Sequence, residues 1–250
     1  MSYYVAEFWN SFTNLTMLVL AALGIYSATK NGHGKRIVAM YAAQLVVGLG
    51  SAAFHATLKY TSQMLDELPM LYLCAIGFYA IAEMNRDVRY GIKLPLAIGS
   101  VQAAITLAYL FWLQNPVFHQ TVFALTAFAA VFLGYKRLHE MEVSSATRRL
   151  LFRLNLLGHL GLLGGFLVWN IDNVFCHRLR SYRSYVGAPL DALLQLHGWW
   201  HIMSAYGSTY ILLWVHMLRL TRMDQDHLFS IHYFFGLFPY VDIQLPKKVD

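Results

Sequence analysis

Charge is the scarcest thing in this chain: Asp, Glu, Lys and Arg make up 13% of its 250 residues, against roughly a quarter in an ordinary soluble domain. With 58% of the residues apolar and a mean hydropathy of +0.45, the composition excludes a disordered chain and lacks the polar surface of a soluble globule. Cysteine is nearly absent too. Cys74 and Cys176 are the two present, and Cys74 sits inside an apolar stretch. A disulfide framework, a Cys-x-x-Cys redox motif and a Cys-based metal site are therefore excluded. No internal repeat, linker or low-complexity stretch interrupts the chain, and residues 1–250 read as one domain.

What is there is a set of long apolar runs. A helix needs about 20 mostly apolar residues to cross a bilayer. Seven runs qualify: Phe8–Thr29, Ile37–Leu58, Leu68–Met84, Leu94–Leu113, Val117–Tyr135, Leu150–Ile171 and Leu196–Leu218. They predict an all-α fold, a seven-transmembrane-helix bundle. The first run lacks a basic start and carries Asn10 and Asn14, so it reads as helix one and not as a cleavable signal.

The basic residues give the orientation. The excess of 19 Lys and Arg over 13 Asp and Glu would point to nucleic acid in a soluble protein, but in an apolar chain it marks cytoplasmic loops; no nucleic-acid partner is expected. With seven spans, Lys59, Arg178, Arg180 and Arg183 share a side with the N-terminus, and every other lysine and arginine falls on the opposite side. The positive-inside rule then predicts a lumenal N-terminus and a cytosolic C-terminus. The chain ends Lys247-Lys248-Val249-Asp250. That pair matches the dilysine signal of endoplasmic-reticulum membrane proteins, an address read by coat proteins; a Golgi location is also compatible. A chance basic tail is the plain alternative.

Ionisable side chains inside spans are costly and therefore mark function by default. Three places stand out. Ser51 and His55 lie four apart, on one face near the end of helix two. Asp66 stands at the start of helix three, with Pro69 in its first turn, a short connection away from His55. His197 and His201, again four apart, open helix seven on a face continued by Ser204 and Ser208. The alternating direction of the helices puts His55, Asp66, His197 and His201 at similar depth near the lumenal end. Three imidazoles with room for a water suit catalytic Zn²⁺, and a neighbouring carboxylate can act as general base and then general acid. Each residue also has a plain reading: a packing histidine, a small serine at a helix contact, an aspartate capping helix three. His159, mid-span in helix six, is the rival ligand. Trp169-Asn170-Ile171-Asp172-Asn173 either orients a ligand or simply closes helix six.

Together with Ala6-Glu7-Phe8-Trp9-Asn10, Leu58-Lys59-Tyr60, Leu65-Asp66-Glu67-Leu68-Pro69-Met70, Phe118-His119-Gln120, Phe175-Cys176 and His197-Gly198-Trp199-Trp200-His201, these residues resemble the alkaline ceramidases. Ser-x3-His, an Asp eleven residues on, and a late His-x3-His are the signature of the wider superfamily, which includes the adiponectin/progestin-receptor-like proteins. The resemblance implies a seven-helix intramembrane zinc amidase that hydrolyses ceramide to sphingosine and a fatty acid. It implies His55, His197 and His201 as zinc ligands, Asp66 as the proton carrier, and Ser51 as a hydrogen-bond donor to the oxyanion or an anchor for the water. It also implies Glu7 as part of a calcium site, completed in the family by an acidic stretch of the type Asp-Trp-Cys-Glu-x-Asn. That stretch is not in this sequence, and Glu7 alone cannot supply the six to eight oxygens Ca²⁺ takes. Either the chain is an N-terminally shortened form, with catalytic impairment as the alternative to activity, or this member lacks calcium dependence; Cys176 is left without a partner. Two other readings remain open: a receptor or scaffold with structural zinc, and a transporter using the polar cluster as an ion path.

Overall fold

The computed structural model describes residues 5–84 and 90–244. Nine helices run in order among them: α1 (Phe8–Thr13), α2 (Leu15–Lys30), α3 (Lys35–Thr57), α4 (Tyr60–Ala82), α5 (Lys93–Phe111), α6 (Pro116–His139), α7 (Ser145–Val174), α8 (Cys176–Val186) and α9 (Leu196–Arg222). Helices α3 to α7, and the run Phe8–Lys30 that α1 and α2 make together, are long and apolar enough to cross a membrane. The expected seventh span corresponds to α9. Its 27 residues are long enough, but it is not among these six. The polar residues it carries turn inward: His201, Ser204, Thr209 and His216 are buried. A helix enclosed by protein can carry polar groups that a lipid-facing helix cannot.

The all-α expectation needs one correction. After α9 the chain forms an antiparallel hairpin of β1 (Phe229–Phe234) and β2 (Phe238–Ile243), paired from Phe229↔Ile243 to Phe234↔Phe238. It folds back on the first long helix. Lys30 Nζ lies 3.0 Å from Asp242 Oδ2, Asn31 Nδ2 donates to Asp242 Oδ1 at 3.1 Å, and the Ser27 hydroxyl donates to the Val241 carbonyl. Phe238 stacks on Tyr206 of α9. The core lies beside the second half of α9, where Leu213, Trp214 and Leu218 are fully buried with Tyr41, Met40 and Leu151. At that end His33 Nδ1 stands 2.6 Å from His216 Nε2, the Tyr41 hydroxyl 3.3 Å from His216 Nδ1, and the His33 ring is edge-on to Phe229.

Two close contacts position the other end. Helix α4 starts at Tyr60, not near Leu68, so Pro69 sits in its third turn and Asp66 within its second; Asp66 is not a capping residue. Polar residues such as Ser62 and Gln63 hide this turn from an apolar-run reading, yet the Ser62 hydroxyl donates to Lys59 O at 2.8 Å. A proline within a helix gives no N–H to the carbonyl four residues back, which here is that of Leu65. Gly50 of α3 packs on that same carbonyl: a Cβ at Gly50 would fall 1.8 Å from Leu65 O. The second contact joins α7 to α9. A Cβ at Gly161 would meet the Gly207 Cα at 2.8 Å, so only glycine lets these backbones approach so closely.

Candidate metal centre

The last turns of α3 and the first turns of α9 bring three imidazoles together. Ring centroids are 4.7 Å apart for His55 and His197, 4.7 Å for His55 and His201, and 4.8 Å for His197 and His201. Each ring offers a nitrogen, and the three ligand atoms all lie within 4.8 Å of one another. His55 and His201 are buried, and His197 is partly so. The i, i+4 spacing on α9 puts its two rings on one face, and Gly207 seats that helix against α7.

Asp66 stands beside this cluster. The Ser51 hydroxyl donates a hydrogen bond to its carboxylate, and His55 is close enough to interact with it electrostatically. Asn14 Nδ2 donates to Ser51 Oγ at 3.1 Å. Ser51 is therefore already engaged on both sides, by a donor and by Asp66.

The far nitrogens of two rings are held from α1 and its flanks. Glu7 Oε2 lies 2.7 Å from His55 Nδ1, and Asn10 Nδ2 donates to the same oxygen at 3.0 Å. The Glu7 N–H also donates to His55 O at 3.0 Å, and that of Ala6 to Ala56 O at 3.2 Å. These are carbonyls that the end of a helix leaves without internal partners. The hydrogen bond from His55 is the main cause holding the Glu7 carboxyl at about 2, well below its ordinary 4.5. His201 Nδ1 lies 3.1 Å from Thr13 Oγ1 and 3.4 Å from Asn14 Nδ2.

Sequence reasoning missed Thr13, and it missed the contacts of Asn10 and Asn14. Two asparagines one turn apart inside an apolar run were the available signal. His159 does not join the cluster: its Nδ1 lies 2.8 Å from Asn155 O, one turn back on its own helix. His119 turns its Nε2 to Glu67 O at 2.9 Å. In the Trp169–Asn173 stretch, Asn170 Nδ2 donates back to Phe166 O at 2.7 Å, inside a helix that runs on to Val174.

The donor set fits zinc. Neutral imidazoles are its common ligands, and rings whose other nitrogen is held by a carboxylate or hydroxyl are typical of such sites. It does not fit calcium. Among the described residues Glu7 belongs to neither group of three or more His, Cys, Asp or Glu side chains that converges closely enough to hold an ion, and its Oε2 is already shared by His55 and Asn10.

The comparisons with known proteins agree on one relationship. The sequence model of the ceramidase family matches residues 1–242. Alkaline ceramidase 3 of Mus musculus is 34% identical over 255 residues, covering 98% of this chain and 89% of that protein. Alkaline ceramidase YPC1 of Saccharomyces cerevisiae is 31% identical over 253 residues, covering 94% and 78%. The alkaline ceramidase of Arabidopsis thaliana is 25% identical over 246 residues, covering 98% and 89%. The chain belongs to the ceramidase family and is, with it, a hydrolase.

Proposed function

We propose that this chain hydrolyses the amide bond of ceramide, releasing a sphingoid base such as sphingosine and a free fatty acid, at a zinc centre held by His55, His197 and His201. The observation that carries the reading is the convergence of three imidazoles from α3 and α9 beside the Ser51–Asp66 pair. Bound there, zinc supplies Lewis-acid polarisation of the amide carbonyl and acidifies water.

The chain's own residues do the rest. Asp66 takes the proton of the attacking water and returns it to the leaving sphingoid nitrogen as the C–N bond breaks. Ser51, whose hydroxyl proton points to Asp66, holds that carboxylate in place. This geometry favours positioning over a direct bond to the oxyanion. The outward apolar faces of α6 and α7, with Phe128, Phe132, Leu163 and Leu167 exposed, suit a protein lying in lipid, from which a two-chain substrate arrives.

The same reading makes residues 1–250 one integral membrane domain in which α9 is the seventh span, with the N-terminus lumenal and the C-terminus cytosolic. The dilysine pair Lys247-Lys248 lies outside the described residues. In the cytosol it would be read by coat proteins and keep the enzyme in the endoplasmic reticulum or the Golgi.

The test is fatty-acid release from labelled ceramide by membranes carrying the chain. His201→Ala and Asp66→Ala each abolish release while the protein still accumulates. Near-wild-type turnover in either variant refutes the role of the residue replaced.

A further inference from the structure

We infer that α1 with its N-cap Glu7 is the orienting element of the metal centre: Glu7 and Thr13 each take the Nδ1–H of one histidine, His55 and His201, and so fix both rings with Nε2 free to bind the ion. The inference rests on the zinc reading and adds two positioning residues to it.

Counting protons assigns the tautomers. An ionised carboxylate can only accept hydrogen bonds. The 2.7 Å contact between Glu7 Oε2 and His55 Nδ1 therefore requires the proton on His55 Nδ1. A neutral imidazole carries one N–H, so His55 Nε2 bears a lone pair. Glu7 cannot drift, because its own N–H is bonded to His55 O and Asn10 Nδ2 holds the same carboxylate oxygen.

Thr13 reaches the same result by a different route. Its hydroxyl has one hydrogen, and Trp9 O lies 2.9 Å and Asn10 O 3.2 Å from Thr13 Oγ1, one turn back. With its hydrogen spent on the helix, Thr13 presents a lone pair to His201 Nδ1 at 3.1 Å. His201 must then donate from Nδ1 and keep Nε2 bare. Asn14 Nδ2, the more distant neighbour of His201, spends its hydrogens on Ser51 Oγ and Asn10 O. Glu7, which caps α1, and Thr13, which ends it, thus set the tautomer of one ligand from α3 and one from α9, two helices that reach the site from distant parts of the chain.

Outer partners of this kind are typically worth about 10–100-fold in metal affinity. The test uses the purified full chain, with Zn²⁺ affinity measured by competition against a chelating dye and the visible spectrum recorded after loading with Co²⁺. Glu7→Ala and Thr13→Val weaken Zn²⁺ binding about 10–100-fold and alter the Co²⁺ spectrum. Glu7→Gln and Thr13→Ser keep an acceptor and stay within a few-fold of wild type. A merely structural role would lower the unfolding temperature of the metal-free chain and leave affinity and spectrum unchanged, which overturns the inference. Thr13→Val, nearly isosteric, carries the test where Glu7→Ala fails to accumulate. Wild-type affinity in Glu7→Ala and Thr13→Val, with binding lost in His55→Ala and His201→Ala, overturns the inference and leaves the zinc reading standing. Wild-type affinity in His55→Ala and His201→Ala sinks the zinc reading itself.

Discussion

Replacing Gly50 by alanine asks whether the spacing of α3 and α4 governs catalysis. A Cβ at this position falls 1.8 Å from the Leu65 carbonyl oxygen and 2.6 Å from its carbon. Carbon–oxygen contacts between packed backbones settle at about 3.3–3.6 Å, so the helices must part by roughly 1.5 Å. Both obstructing atoms are backbone, and no side chain can swing aside to absorb the methyl. Ser51 and His55 ride on α3 and Asp66 on α4, so the separation stretches the Ser51–Asp66 hydrogen bond and draws the carboxylate away from the imidazoles. A misplacement of about 1 Å costs on the order of 100-fold in rate. Gly50→Ala should therefore lose about 100-fold in fatty-acid release from ceramide, while zinc content holds, because the three histidines and α1 lie on the other side of the opened seam. Gly99→Ala is the matched control. Nothing lies within 4 Å of a Cβ there, and in mid-helix the change gains about 1 kcal/mol of helix propensity with activity intact. Wild-type turnover in Gly50→Ala would refute the link between the close approach and the chemistry.

Three further outcomes are expected. A chelator strong enough to strip zinc should abolish ceramide hydrolysis, and added Zn²⁺ should restore it; activity that survives complete removal of the metal contradicts the proposed centre. His33, outside the spans, is held at about 4 instead of 6.5, first by burial and then by the nearby Arg219, with Asp242 pulling the other way and His216 against its ring. A depressed histidine contributes its stability in full above about pH 6.5 and loses it as pH falls toward 4, so hydrogen exchange in β1 and β2, corrected for intrinsic rates, should quicken between pH 7.5 and 5; equal protection refutes this. Leu58 ends α3 at φ 53, a conformation costing an L-residue about 1–2 kcal/mol, and its side chain is 50% exposed. Leu58→Gly should raise the unfolding temperature in detergent, and a fall would show that the side chain packs more than its exposure implies.

Much of this was legible in the residues. Apolar runs located all six of these long apolar stretches, with Phe8–Lys30, Lys35–Thr57 and Lys93–Phe111 found nearly to their ends, because hydropathy over about 20 residues is a direct statement about solvent. The pairs Ser51/His55 and His197/His201 revealed a shared face because helical spacing is fixed. What stayed hidden depends on which side chains meet. The break between α1 and α2 at Asn14, and the reach of Glu7 and Thr13 to rings on other helices, leave no periodic trace. The start of α4 was missed because Tyr60–Glu67 is polar but still helical. The hairpin was overlooked although Phe229–Phe234 and Phe238–Ile243 flank a Gly236 at φ 71, a turn signal masked by the aromatic residues around it.

The clasp between α2 and β2 also bears on how the molecule is made. Its bonds join Ser27 to Val241 and Lys30 to Asp242, positions more than two hundred residues apart in the sequence. The opening helix is thus inserted long before its strand partner exists, and the groove it offers to β2 stays vacant until translation has passed residue 242. Closing this clasp is therefore an end-of-synthesis event. A ribosome that stops after α9 releases a chain with the histidine centre encoded in full but with α2 lacking its strand partner.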